Sequence, residues 1–283
     1  MRNFSQDHSA LALNTATLGH NLDGQGAGWT PEQIIDACAA REIAGIVFWR
    51  REIGARAIEI GERVRAAGMQ VTGLCRTPFL VGRTAPDDEL DAARASIDMA
   101  AGLGTDVLTV VSGGTEPGTR GLLESQKRLA ERVAGLAPYA AERGIKLALE
   151  PLNPMFGGNR TVVMTARDAL RVCDWVGAPN VGLAIDVYHV WWDTGLAETL
   201  AKGGSGRIFG YHLCDWLEDT SDMLLDRGMM GDGIADLKAL RGAVEAAGYA
   251  GPCEVEVFSA ENWWKRPPGE VLDTMVERFR TAC

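Results

Sequence analysis

Short apolar runs and helical segments alternate eight times along the chain, and that alternation is what most limits the folds open to it. Strand-like runs at residues 10–14, 45–48, 71–74, 107–111, 146–150, 181–186, 208–212 and 253–258 are each followed by a segment with helical spacing. The spacing predicts helices over 30–41, 55–67, 87–101, 122–143, 165–176, 196–201, 236–247 and 271–281. Thr30-Pro31-Glu32 supplies an N-cap and a proline at the first helical position. Gly68, Gly102, Gly144, Gly177 and Gly248 stand where left-handed C-caps fall. Strand followed by helix implies a parallel sheet with helical crossovers. Eight such units imply an α/β fold, a closed (β/α)8 TIM barrel, whose chemistry belongs at the C-terminal ends of the strands. No composition break or repeat interrupts the pattern, so residues 1–283 are read as a single domain.

The balance of 28 basic against 38 acidic residues gives a net charge of −10. Such a surface repels phosphate backbones, which argues against a nucleic acid partner. The six cysteines are scattered without C-x-x-C pairs, several within apolar runs, as expected of small buried residues in a reducing compartment. Neither a signal peptide nor a membrane span is evident, so the expectation is a cytoplasmic protein without a membrane partner.

Four of the strand-like runs end in a side chain that is costly to bury alone. Read with period two, Ala148 and Glu150 share one face, as do Gly182, Ala184 and Asp186, then Gly210 and His212, then Glu254 and Glu256. In a closed barrel the last four strands are neighbours, so Glu150, Asp186, His212 and Glu256 converge at the mouth. One strand-end acid could equally serve a nearby loop. Four on consecutive strands call for a shared cation, and the mixed oxygen and nitrogen set suits one divalent ion, Mn2+, Mg2+, Co2+ or Zn2+. Glu254 lies one layer deeper and is expected to form an ion pair with Lys146 across the barrel floor.

The segments A-L-E-P-L-N (148–153), D-V-Y-H (186–189), H-L-C-D (212–215), G-D-G-I-A-D-L (231–237) and E-V-E-V-F (254–258), in this order, resemble the xylose-isomerase-like TIM-barrel superfamily of sugar isomerases and epimerases. The resemblance covers most of the chain. It implies Glu150, Asp186, His212 and Glu256 as metal ligands, with Glu150 and Glu256 doubling as acid/base residues on either side of the substrate. It implies that His189 contacts substrate or metal-bound water. The activity implied is a divalent-metal-dependent isomerase or epimerase of a sugar or related polyhydroxy carbonyl compound, through a metal-bound enediolate. The alternative is a lyase, a dehydratase or decarboxylase of a keto-sugar acid or keto-inositol, with the same site. Its partner is then a small carbohydrate-like molecule, with a homo-oligomer left open.

Further candidates follow from position. Asn153 is placed to bind a substrate hydroxyl or to form a turn beside Pro154, and Trp191 to cover a sugar face or pack under a loop. Arg50 and Arg76 fall just after the second and third strands, at the mouth. Ketohexose 3-epimerases of the superfamily carry an arginine soon after the strand-seven histidine, where Trp216-Leu217-Glu218-Asp219 stands here. Arg227, further along, is the candidate substitute. Arg50, Arg76, Arg227, Lys265 and Arg266 all follow strands, which suggests an anionic substrate group, carboxylate before phosphate. Asp215 is expected to orient the His212 region. Residues 215–233, with Gly228, Gly231 and Gly233 around Met229-Met230, read as a lid closing apolar surface over substrate. Ser112-Gly113-Gly114 reads as a flexible loop.

Overall fold

Eight parallel strands close on themselves in sequence order in a computed structural model that describes residues 2–83, 85 and 88–283. They are β1 (Leu11–Asn14), β2 (Gly45–Trp49), β3 (Gln70–Cys75), β4 (Val107–Val110), β5 (Lys146–Leu149), β6 (Val181–Asp186), β7 (Ile208–Leu213) and β8 (Cys253–Val255). The crossovers run through helices Pro31–Ala39, Ala57–Ala66, Glu89–Leu103, Leu123–Glu142, Ala166–Val176, Leu196–Gly203 and Leu237–Ala246, and Pro268–Ala282 ends the chain. This is the expected (β/α)8 barrel. Among the described residues, no helix is long and apolar enough to cross a membrane, and all six cysteines are free and buried.

Local chemistry explains the boundaries. Thr30 accepts from the Gln33 amide while the Gln33 side chain accepts from the Thr30 amide, a closed capping box before Pro31. Asp87, the expected start of the third helix, lies outside the described residues. That helix does not stop at Gly102: it runs to Leu103, with Gly104 as its left-handed cap. Gly102 serves packing instead, since a Cβ there would lie 3.1 Å from Ala57 Cβ.

Two further expectations are corrected. Lys146 does not reach Glu254. At the N-terminal end of β5 its flexible stem carries the ammonium outward to Asp106, 2.7 Å away, where water is available. Ser112-Gly113-Gly114 is not a loose loop. Leu80 and Val81 both donate backbone N–H bonds to the Ser112 carbonyl at 3.0 Å, and Val162 donates to Ser112 Oγ at 3.0 Å. Thr115 N–H donates to the Gly158 carbonyl at 3.0 Å. The loops after β3, β4 and β5 are thereby laced into one wall of the barrel mouth.

Candidate active site

Register brings the strand-end donors together. Asp186 of β6 lies beside His212 of β7, and His212 beside Glu254 of β8. Glu150 and Glu256 each follow the last strand residues and stay tethered, Glu150 N–H to the Val110 carbonyl at 3.0 Å and Glu256 N–H to the Leu213 carbonyl at 2.9 Å. One ligand atom from each of Glu150, Asp186, His212 and Glu256 falls within 4.8 Å of all the others, and all four residues are buried. Three carboxylate oxygens and an imidazole nitrogen at that spacing match the coordination sphere of a divalent ion. Cys75 forms a second such group with Glu254 and Glu256, but burial and three carboxylates push its thiol well up, which disfavours thiolate ligation.

Acidic groups outnumber basic ones in this layer, where the four buried carboxyl groups of Glu150, Asp186, Glu254 and Glu256 meet His212 and Arg227. His212 Nδ1 lies 2.9 Å from Glu150 Oε1 and its Nε2 lies 3.4 Å from Glu254 Oε2. Burial works against a charged imidazole, but Glu254 and Glu150 outweigh it and raise His212 well above its ordinary value. Arg227 Nη1 donates to Asp186 Oδ2 at 2.9 Å and to Glu256 Oε2 at 3.1 Å. Its guanidinium stacks between Tyr188 and Phe258, 4.4 and 4.3 Å from the ring centres. Burial opposes the Asp186 charge too, and Arg227 and the histidines still hold it below its ordinary value. Glu256 goes the other way, raised by burial that Arg227 only partly offsets.

The expected substrate contacts divide. His189 lines the cavity above the ligands, with Nε2 3.7 Å from Asp186 Oδ2 and Nδ1 accepting from the Asn153 amide at 3.2 Å. Burial pushes it down to about 4, so its ring is neutral near pH 7. Arg227 lines the same cavity. Asn153 caps the turn at Pro154–Phe156, its Oδ1 accepting from Met155 N–H at 3.2 Å, so the turn-forming alternative describes that oxygen. Trp191 stacks on Trp216 at 5.2 Å and is not among the residues lining the cavity. Arg50 turns to the neighbouring helix, donating to Ser96 Oγ at 2.5 Å, and lines an adjoining pocket. Lys265 pairs with Glu261 and Arg266 with Glu270, both on the exposed surface.

Asp215 organises its own loop rather than His212: its carboxylate accepts from the amides of Trp216, Gly231 and Ala235 at 2.9–3.0 Å. Met229 and Met230 are fully buried in the core, so they do not offer apolar surface to a substrate. Leu224 and Arg227 are the parts of residues 215–233 that reach the cavity wall.

The sequence reading missed several residues here. Asn14 Nδ2 donates to Glu256 Oε1 at 2.9 Å and also to Glu254, and Trp49 Nε1 donates to Asn14 Oδ1 at 2.8 Å. This chain of bonds fixes the orientation of both β8 carboxylates. Nothing but the position of Asn14 at the end of a strand pointed to it. Arg160 lines the cavity with Arg76, Phe79 and Phe156.

Comparison with known proteins agrees with this fold. The sequence pattern described as xylose isomerase-like TIM barrel matches residues 35–282. A protein of Sinorhizobium meliloti 1021, SMc04130, has a crystal structure that superposes with a TM-score of 0.89 at 42% identity, covering 98% of this chain and 99% of that one. The IOLI protein, crystallised with a zinc atom, superposes with a TM-score of 0.80 at 20% identity over 95% of each chain, a likeness of fold. Inosose isomerase of Bacillus velezensis is 30% identical over 54% of this chain and 54% of its own length. The chain thus spans about half the length of the curated relatives it matches.

Proposed function

We propose, for a chain that belongs to the xylose isomerase-like TIM barrel family, that it is a divalent-metal-dependent isomerase or epimerase of a small polyhydroxylated carbonyl compound. The observation that carries this reading is the convergence of Glu150, Asp186, His212 and Glu256, at the ends of four consecutive strands, to within 4.8 Å of one another, with Glu150 and Glu256 lining the cavity. These four would hold the ion, Mn2+, Mg2+, Co2+ or Zn2+. When bound, the ion supplies positive charge that polarises the substrate's carbonyl and adjoining hydroxyl oxygens.

The proton chemistry belongs to the chain. One of Glu150 and Glu256 takes the proton from the carbon next to the carbonyl, leaving an enediolate, and the other returns a proton from the opposite face to invert the centre. Return through a single carboxylate, with a proton exchanged between the two oxygens, gives aldose–ketose isomerisation instead. Asn14 on Oε1 and Arg227 on Oε2 hold the Glu256 carboxylate in one orientation for this task. Neutral His189 offers a ring nitrogen to a substrate hydroxyl. Buried free cysteines fit a reducing cytoplasm.

The lyase reading uses the same ligands and the same first proton abstraction, and differs in what leaves. A relative from Pseudomonas aeruginosa named 3-dehydroshikimate dehydratase, 29% identical over 60% of this chain but only 26% of its own length, supports it. The test is metal content of the purified chain by mass spectrometry beside solvent-deuterium wash-in by NMR across ketoses, keto-acids and inososes. Bound divalent metal with wash-in into at least one class is the expected result. Neither metal nor wash-in anywhere in that panel would overturn the proposal.

A further inference from the structure

Two arginines face the cavity and, among the described residues, neither is ion-paired. Arg76 and Arg160 line it together with the metal-ligand candidates Glu150 and Glu256. The Arg76 guanidinium lies 4.3 Å from the Phe79 ring centre and makes one hydrogen bond, from Nη1 to the Thr77 carbonyl at 3.0 Å. Arg160 lies 5.9 Å from the same ring and 5.9 Å from Phe156. Neither has a carboxylate partner within ion-pair distance among the described residues. Burial, and then the like charge of Arg160, pushes Arg76 down to about 10, while Glu150 acts in the opposite direction. Elsewhere in this acidic chain, Arg41, Arg56, Arg143 and Arg207 each hold an acid.

Stacking fixes a guanidinium by its face and leaves its edge N–H groups free, the geometry that receives a carboxylate bidentately. The two cations are held in place by the lacing of their loops. Arg76 and Phe79 precede the Leu80 and Val81 amides that bond the Ser112 carbonyl, and Arg160 precedes Thr161, whose Oγ1 lies 3.2 Å from Ser112 Oγ. In the segment after β4 that lacing takes up the Ser112 carbonyl and hydroxyl and the Thr115 amide. Resting on the reading above, we infer that Arg76 and Arg160 form an anion subsite, and that the substrate is a keto-sugar acid whose carboxylate docks there while its hydroxy-ketone end faces Glu150 and Glu256. Arg50, in the adjoining pocket with Arg76, adds positive field without a direct contact.

The test is calorimetric binding to the Mn2+-loaded full chain of three probes that differ at one carbon: D-fructose, D-fructuronate and D-fructose 6-phosphate. The expected result is fructuronate binding at least about tenfold more tightly than fructose. That advantage should fall by about tenfold in Arg160→Met and in Arg76→Met, and largely return in Arg160→Lys, with fructose affinity unchanged throughout. Equal affinity for fructose and fructuronate, no binding of either, or a loss in Arg160→Met that falls equally on both overturns the subsite. Tighter binding of the phosphate overturns the carboxylate assignment. Solvent-deuterium wash-in on the same samples separates the two readings. Arg160-dependent fructuronate binding without wash-in keeps the subsite and removes the proton chemistry, and wash-in without a fructuronate preference does the reverse.

Discussion

Glutamine at position 150 or 256 keeps an oxygen that can ligate weakly and loses the ability to accept a proton. Glu150→Gln and Glu256→Gln are therefore expected to lower turnover by roughly 100- to 10,000-fold while retaining more metal than Asp186→Asn or His212→Ala. The latter two should act through metal loss and recover in part with excess metal. Metal content by mass spectrometry, read beside deuterium wash-in for each variant, checks both halves. Full turnover in a metal-bound glutamine variant would remove that glutamate from proton transfer. At this scale, the four strand-end donors were legible because an acid or imidazole closing an apolar period-two run is conspicuous. Arg160 and Asn14 were not. Arg160 sits in a loop with no periodicity, and its nearness to Arg76 arises only when three loops are laced together. Arg50 looked equivalent to Arg76, yet Ser96 on the neighbouring helix takes its guanidinium.

That lacing makes its own prediction. Gly113 has a φ of 93°, and a Cβ there would lie 2.1 Å from the Val81 carbonyl oxygen. Gly113→Ala must move backbone against backbone, so a loss of about 2–4 kcal/mol in stability is expected by urea denaturation. The loops carrying Arg76 and Arg160 should shift together, seen as faster hydrogen exchange at Leu80, Val81 and Val162. Unchanged exchange at those three amides would mean the loops are held independently. Elements long enough to show a period were legible to within a few residues. Single turns were not: Arg50–Ile53 and Val187–Val190 have four residues each, too few to display a helical repeat. The glycines around Met229-Met230 suggested a hinge, but burial of both methionines against the core is a tertiary fact that composition does not carry.

For the whole molecule, the closed barrel was legible because eight strand-helix units leave few other arrangements. The closing seam was not, because it joins residues 240 apart. Thr17 Oγ1 donates to the Val255 carbonyl at 2.8 Å and accepts from Val257 N–H at 3.0 Å, tying the first crossover to the last strand. Beside Thr17 on the same turn, Thr15 donates to Glu52, whose Oε2 also accepts from Trp49 N–H at 2.8 Å, while His20 Nδ1 lies 3.3 Å from Oε1. Burial outweighs these bonds and pushes Glu52 up from 4.5 to about 7. The sign of the linkage follows: between those values the folded chain keeps a proton that the unfolded chain has released, so stability falls as pH rises through that window. The Glu52 contribution lost by pH 8 is roughly 3 kcal/mol. Glu52→Gln keeps the acceptor oxygen for Thr15 and Trp49 and does not titrate. The variant and the native chain should therefore match near pH 5, and the variant should be the more stable by roughly 2–3 kcal/mol at pH 8 in urea titrations at matched ionic strength. Parallel stability curves from pH 5 to 8 would place the Glu52 carboxylate in water, outside the seam that closes the barrel.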